Sequence, residues 1–541
     1  MRDRIFWIAG SVLCGIASPA LAQQQGDRAV TVSPYIQIGQ VLTADLRNDD
    51  VLTYSTVSAG VDANVNTRRV QVQLSYQYEH RFSWDDDIGD DDIHSGIARI
   101  GVALAPGLSL EAGALATRTR SDIRGAAPGI LAGNVANISQ LYSAYAGPTY
   151  TNNFGPLAVN AAYRVGYTKV EAPTFGTGLL PGEPALDLYD DSLNHLVTGS
   201  IGTRPGSVLP VGLTLSGAYT REDAGQLDQR FEGYFGRAEA LLPVSRTLAL
   251  TAGVGYEAIE SGQRDPLRNA NGTPVLDGNG RFVTDESSPR RLGYDIDGIF
   301  YDAGVLWRPS PRTSVQLRVG ERYGSLSVTG TATFQMSASE GIQVNLYDSV
   351  QTFGRQLTAG LAALPTSFNT PFDGFGDQYN GCIFGTQGGA VGGCLNNIFQ
   401  SISTATFRAR GVDAVYAGTF GATRLGAGAG YANRRFFAAD PGPDAGFTID
   451  GLSDQSYYLQ TFAAYALGRN SGITADVYVN YFDSGIGLGT DIWGAGATAA
   501  YFRQIGRLNA VVTGGIYTFD QEGGGQSDVS AQGLLGLGYR F

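Results

Sequence analysis

Residues Arg69–Glu79 read "RVQVQLSYQYE", an uninterrupted alternation. Val70, Val72, Leu74, Tyr76 and Tyr78 fall on one side; Arg69, Gln71, Gln73, Ser75, Gln77 and Glu79 fall on the other. A period of two places successive side chains on opposite faces of a strand, here one apolar and one fully polar. The same pattern returns at Leu108–Ala114, at Val315–Tyr323 and at Ile473–Tyr481. Each run is about 10 residues or a little longer, the length a tilted strand needs to cross a bilayer.

The links between these runs alternate as well. Tight links such as Ala105-Pro106-Gly107, Pro243-Val244-Ser245, Gly468-Arg469-Asn470 and Ile505-Gly506-Arg507 take every second place. Between them lie long polar links, at 84–92, 121–136, 171–190, 263–290, 354–404 and 438–446. Short turns on one side and long loops on the other are the pattern of a transmembrane antiparallel β-barrel, all-β, with both termini periplasmic and the long loops extracellular. The count comes to about 22 strands, within a range of roughly 18 to 24. A soluble β-sandwich or propeller also alternates, but its links have no reason to keep phase along the whole chain.

The ends of the chain agree with this reading. Arg2 and Arg4 precede an apolar run from Ile5 to Ala17, and Ala20-Leu21-Ala22 offers a cleavage site, so residues 1–22 are expected to be a signal peptide and 23–541 the barrel. Leu535, Leu537, Tyr539 and Phe541 form the apolar row of the last strand, opposite Gly536, Gly538 and Arg540. That row resembles the C-terminal signal recognised by the barrel-assembly machinery, an expected partner during biogenesis. Trp307 beside a short turn and Trp493 beside a long loop fit two aromatic girdles. The expected location is the outer membrane of a Gram-negative bacterium, against outer-membrane lipid and lipopolysaccharide.

Composition excludes other classes. A formal charge of -13 argues against nucleic acid as a partner, since a phosphate backbone needs a basic face. The 75 glycines and single lysine, Lys169, argue against a helical bundle. After the first segment no apolar run reaches the length of a transmembrane helix.

A barrel of this size is too wide for wall side chains to fill, so it holds a water path or a plug. The loop 354–404 is the candidate constriction, the alternative being a stabilised surface loop. Cys382 and Cys394 within it read as a disulfide, with free thiols or part of a metal site as the alternatives. Arg69, Glu79, Arg99, Glu111, Arg318, Arg322 and Asp476 are the expected lumen-lining charges, and their mixed signs set no selectivity. The loop "WDDDIGDDDIH" gathers Asp85, Asp86, Asp87, Asp90, Asp91 and Asp92. Clustered carboxylates attract calcium, but the spacing is not that of an EF-hand and solvated repulsion is the alternative. His80, His94 and His195 are the three histidines, and the alternation sends His80 and His94 outward, away from any shared cleft, so no enzyme is expected. No cofactor is expected either.

The stretches "VTVSPYIQIGQVLTADL", "VLTYSTVSAGVDANV", "AYTREDAGQLDQRFE" and "LLGLGYRF" resemble a family of uncharacterised proteobacterial outer-membrane barrels found in exopolysaccharide and exosortase settings. Some of its members carry the label of a preprotein translocase accessory subunit, a short protein with one membrane helix, which this chain lacks. The resemblance implies a channel or export conduit for a polysaccharide, with polysaccharide export components as partners. It supplies no catalytic residues. A closed surface barrel without transport is the runner-up, and an outer-membrane hydrolase the third class.

Overall fold

The computed structural model describes residues 30–46, 50–84, 90–125, 137–172, 179, 186–369, 375, 381–387, 390–395, 400–439, 448–486, 491–521 and 527–541. The signal peptide read at 1–22, and Asp85, Asp86 and Asp87, lie outside these residues. The first half of the wall is β1 (Val30–Asp45), β2 (Asp50–Asn66), β3 (Val70–Ser83), β4 (Asp91–Ala105), β5 (Leu108–Arg120), β6 (Ile138–Phe154), β7 (Leu157–Glu171), β8 (Asp191–Thr203), β9 (Gly212–Ala224), β10 (Arg230–Pro243) and β11 (Leu248–Gln263). It continues through β12 (Arg291–Ser310), β13 (Thr313–Arg322), β14 (Ser325–Ser337) and β15 (Glu340–Gln351). An inserted segment follows, with helix α1 (Phe353–Ala363) and three short strands, β16 (Phe368–Asn369), β17 (Cys382–Gln387) and β18 (Ala390–Cys394). The wall resumes with β19 (Thr406–Phe420), β20 (Thr423–Phe437), β21 (Ser453–Gly468), β22 (Ser471–Ser484), β23 (Asp491–Ile505), β24 (Leu508–Gln521) and β25 (Ser527–Arg540).

The wall is one 22-stranded antiparallel sheet in which each strand pairs with its neighbours in the chain, β15 pairing with β19 across the insert. It closes when β1 pairs with β25 from Tyr35↔Arg540 to Asp45↔Ser530. Closure leaves no edge strand, which is what the hydrocarbon of a membrane requires of a sheet. It also rules out the sandwich.

The alternation is realised on the wall. Ile36, Ile38 and Leu42 of β1, Leu213 and Leu215 of β9, and Ile299 and Tyr301 of β12 are exposed on the exterior. An apolar band this continuous marks a membrane-facing surface. Leu535, Leu537 and Phe541 belong to it, while Leu534, one residue out of phase, is buried on the inner side. Trp307 and Trp493 are exposed at opposite rims.

Tyr323 departs from the alternation. Read as part of the apolar row, it sits instead in the two-residue link Tyr323-Gly324 between β13 and β14, where both residues have positive φ (55° and 67°). Such a link needs left-handed backbone at both places, matching the twist of the flanking strands. Its ring is brought between the guanidinium groups of Arg322 and Arg408, 4.9 Å from each.

Candidate functional site: the occupied lumen

The chain after β15 turns into the barrel. Phe353, Leu357, Leu361 and Leu364 recur on one side of α1 and just past it, and all four are buried. They pack on Ile97 of β4, Leu115 of β5, Leu141 and Tyr145 of β6 and Val170 of β7. Both helix ends are held by wall side chains. At the start, the Glu222 carboxylate accepts from the Thr352 hydroxyl and from Ser192 Oγ (2.5 Å). At the end, Arg99 Nε donates to the Leu364 carbonyl (3.1 Å) and Arg99 Nη2 to that of Ala362 (3.2 Å). A guanidinium there meets carbonyls that have no partner within the helix and the negative end of its dipole.

Two further contacts hold the other described residues of the insert. A disulfide joins Cys382 to Cys394 across β17 and β18. This hairpin packs on Val415 and Ala417 of β19 and on Tyr458 and Phe462 of β21. Glycine makes the approach to β20 feasible: a Cβ on Gly428 would lie 2.5 Å from Cys382 Sγ, and one on Gly426 2.6 Å from the Phe384 ring. Phe375, buried, reaches the remaining wall at Val41, Tyr54, Val511 and Leu534. The plug formed by the described residues of this segment therefore touches three sectors of the lumen wall.

The fourth sector, β10–β13, is met by the wall itself. Pairing of β14 with β15 stops at Gly330↔Leu346, while β15 runs on to Gln351 beside β19. Beyond that point Val350 packs with Phe231 and Ile259 of the facing wall. Thr406 Oγ1 meets Ser261 Oγ at 2.5 Å, and the Arg355 guanidinium lies 3.9 Å over the Phe231 ring. A charged seam borders this contact: Arg408 grips Asp348 through two bonds of 2.7 Å, and Arg322 Nη2 donates to Glu257 at 2.5 Å. Asp348 and Glu257 are nearly inaccessible, so removing either arginine would leave a carboxylate buried without its counter-charge.

Toward the short-turn rim the same sector opens into a polar ladder. Arg237 binds Asp302 (2.7 and 2.9 Å) and Glu239 (2.6 Å), and Arg318 binds Glu239 from the other side (2.8 Å). Arg164 approaches Glu111 at 3.5 Å across the lumen floor from this ladder, with both side chains about a third exposed. These are partly hydrated pairs of opposite sign, and they leave little net field.

The expected lumen charges thus divide into separate roles. Glu111, Arg318 and Arg322 lie on the inner face of the wall. Glu79 also faces in, but is buried against Arg81 (2.8 Å). Arg99 faces in and anchors the plug. Asp476 is buried and accepts from Gln460 Nε2 (3.1 Å), whose Oε1 accepts from the Cys382 amide (3.0 Å). Arg69 corrects the reading: it lies exposed in the turn before β3, because the strand starts one residue later, at Val70. Arg237, Glu239, Glu257 and Asp302 were missed, although "FEGYFGRAEALLP" carries Arg237 and Glu239 in phase.

Among the described residues, Asp90, Asp91 and Asp92 do not converge. Asp91 pairs with Arg118 (2.6 Å), Asp92 accepts from Tyr78 Oη (2.6 Å) and meets His80 Nδ1 (2.7 Å), and Asp90 accepts from the Ser83 amide (3.2 Å). Among the described residues no three His, Cys, Asp or Glu side chains gather in a way that would hold a metal ion. His80 and His94 lie on the exterior face, as their phase requires, His94 Nδ1 at 2.7 Å from Tyr76 Oη.

One buried carboxylate ties the long loops together. Asp187 accepts from Gln226 Nε2 (2.7 Å), the Phe282 amide (3.1 Å) and Thr404 Oγ1 (2.9 Å), and so joins three loops to the exit of the plug. Burial pushes its carboxyl up to about 7 against the pull of these donors and of Arg281.

No protein-family model matches the chain, and no curated protein does. Solved structures do match. The ferric-catecholate import receptor Fiu from E. coli K12 is 11% identical, with 96% of this chain and 82% of that one covered at a TM-score of 0.41. The alcaligin outer-membrane receptor FauA from Bordetella pertussis is 12% identical, over 94% and 76%, at 0.39. OccK3 from Pseudomonas aeruginosa is 10% identical, over 94% and 95%, at 0.29.

Proposed function

We propose that the protein is an outer-membrane transport barrel, a gated conduit whose gate is the insert between β15 and β19. The observation that carries this is the division of the lumen. Its long-loop half is packed by the described part of the insert and the leaning β15–β19 ribbon, while its short-turn half is lined by the charged ladder of Arg237, Glu239, Asp302 and Arg318. Paired charges on the inner wall below the insert are a lining that a water-filled path can use. The short-turn rim then faces the periplasm, and Leu535, Leu537, Tyr539 and Phe541 serve as the assembly signal.

For the cargo we propose an exopolysaccharide. The ladder alternates donors and acceptors with its charges cancelled, which suits a hydroxyl-rich chain better than a strongly acidic polymer. The packing of the plug on three sectors favours a second reading, a permanently closed surface barrel. Conductance in planar bilayers separates the two. Wild-type protein with gated openings, and a variant with residues 354–404 replaced by a short glycine linker that stays open, support the conduit. Silence from both supports the closed barrel. Loss of polymer release on deleting the gene tests the cargo.

A further inference from the structure

The charge of the chain is segregated between its rims. The ten short turns carry Arg68, Arg69, Arg204 and Arg246 in one half of the ring and Arg312, Arg469 and Arg507 in the other, with no Asp or Glu. For a chain of net charge -13 this is a strong asymmetry. It continues unbroken over three consecutive turns, those after β8, β10 and β12. Arg204, Arg246 and Arg312 stand in these turns and Arg308 beside the last of them. All four are exposed, and among the described residues none of them forms an ion pair. Their recorded side-chain bonds are to neutral oxygens, as from Arg308 Nε to Ser314 Oγ (3.3 Å).

Directly beside these turns, on the lipid-facing side of β7–β11, lies a groove of about 660 Å³. Its walls are Leu157, Ile201, Leu213, Leu215 and Val254, and its floor is lowered by Ala238, Ala240 and Ala252. Val208, Leu209 and Val244 stand exposed in the turns, next to the arginines. Trp307, exposed, pairs in register with Leu248, two residues past Arg246.

We propose that this is a binding site for an anionic phospholipid of the facing leaflet, with an acyl chain in the groove and the headgroup phosphate on Arg204, Arg246 and Arg312. A lipid is the occupant that needs both parts. The cations sit one step outside an apolar surface that only hydrocarbon covers, whereas a soluble polyanion bound for the lumen would be met by charges on the inner face. Each basic side chain near an anionic leaflet is worth roughly a fivefold gain in binding, so three unpaired arginines give a marked preference over a zwitterionic lipid.

Trp307 reports on the site. In full-length protein with Trp7, Trp84 and Trp493 replaced by Phe, its fluorescence is measured in phosphatidylcholine vesicles containing a fixed fraction of brominated phosphatidylglycerol or brominated phosphatidylcholine. The expected result is quenching several-fold stronger by the anionic lipid. The preference is lost in Arg204→Gln/Arg246→Gln/Arg312→Gln, and both lipids quench less in Ala240→Phe/Ala252→Phe. It survives excess inorganic phosphate against chloride of equal ionic strength, and survives a soluble acidic polysaccharide. Equal quenching by the two lipids, or a preference that persists in the arginine variant, overturns the proposal. So does its removal by phosphate or by the polysaccharide, which would assign the arginines to a free anion or a soluble polymer.

Discussion

Replacing Leu357 and Leu361 together by Ala attacks the plug where it is most deeply seated. Both side chains are completely inaccessible and share one cluster with Ile97, Leu115, Leu141, Tyr145 and Val170. A buried Leu→Ala change costs about 2–5 kcal/mol. One turn apart on the same face, the two losses overlap, so about 5 kcal/mol is a fair sum. At about 1.4 kcal/mol per tenfold change, that moves the ratio of docked to undocked plug by roughly three orders of magnitude. The wall keeps its full hydrogen-bond ladder, so the barrel still assembles and still shows heat-modifiable migration. In planar bilayers the variant is expected to spend much of its time at a conductance level the wild type visits rarely. Leu357→Met/Leu361→Met, which preserves volume, is expected to stay close to wild type. An assembled double-Ala barrel with wild-type conductance would refute the assignment of α1 as the gate.

Other expectations follow from single contacts. Glu239→Gln frees Arg237 and Arg318 from one shared counter-charge, and the reversal potential of the open state is expected to move toward anion selectivity. Reducing the Cys382–Cys394 disulfide releases a loop with a separation of 12 residues, about 3 kcal/mol of chain entropy, and is expected to raise protease sensitivity in the plug without affecting barrel assembly. Arg434→Ala leaves Asp454 buried without its partner and cuts the bond to the Ser401 carbonyl (2.9 Å), a loss of about 3–5 kcal/mol to be read from denaturant unfolding in a bilayer. Asp187 holds its proton to about pH 7 in the closed loop cluster and releases it near the ordinary carboxylate value when the cluster opens. Closure is therefore strongest at low pH and weakens as pH rises through that window. Hydrogen exchange at 186–190, 281–282 and 404, corrected for intrinsic rate, is expected to be faster at pH 8 than at pH 5, and Asp187→Asn to flatten the difference.

The wall was legible because its two faces meet different solvents, and each residue of "RVQVQLSYQYE" had to declare which one it meets. Closure was legible in the phase of long and short links and in the apolar row ending at Phe541. The plug was only half legible. The segment 354–404 stood out by length, and its two cysteines by spacing, but α1 did not: Gly354 and Gly360 lower its helix propensity, and its Leu357–Leu361 seam is written for a partner surface that exists only once the barrel has closed. The same reason hid the roles of Arg99 and Glu222. A phase argument tells which way a wall residue points but not what fills the space before it. Arg69 marks the limit at strand ends, where one residue decides between wall and turn. Tyr323 failed for want of a turn signal, since a two-residue hairpin with positive φ at both places is ordinarily written with Asn or Gly first.

The central claim, a cylinder wet within and greasy without, is tested most directly along β13. Single cysteines are placed from 315 to 320 in a background where Cys382 and Cys394 remain oxidised, and each is challenged in liposomes with a charged, water-soluble thiol reagent and with a lipid-soluble one. Positions 316, 318 and 320 are expected to react with the charged reagent, and 315, 317 and 319 only with the lipid-soluble one. Charged-reagent labelling without a period of two, or in the opposite phase, would contradict the account.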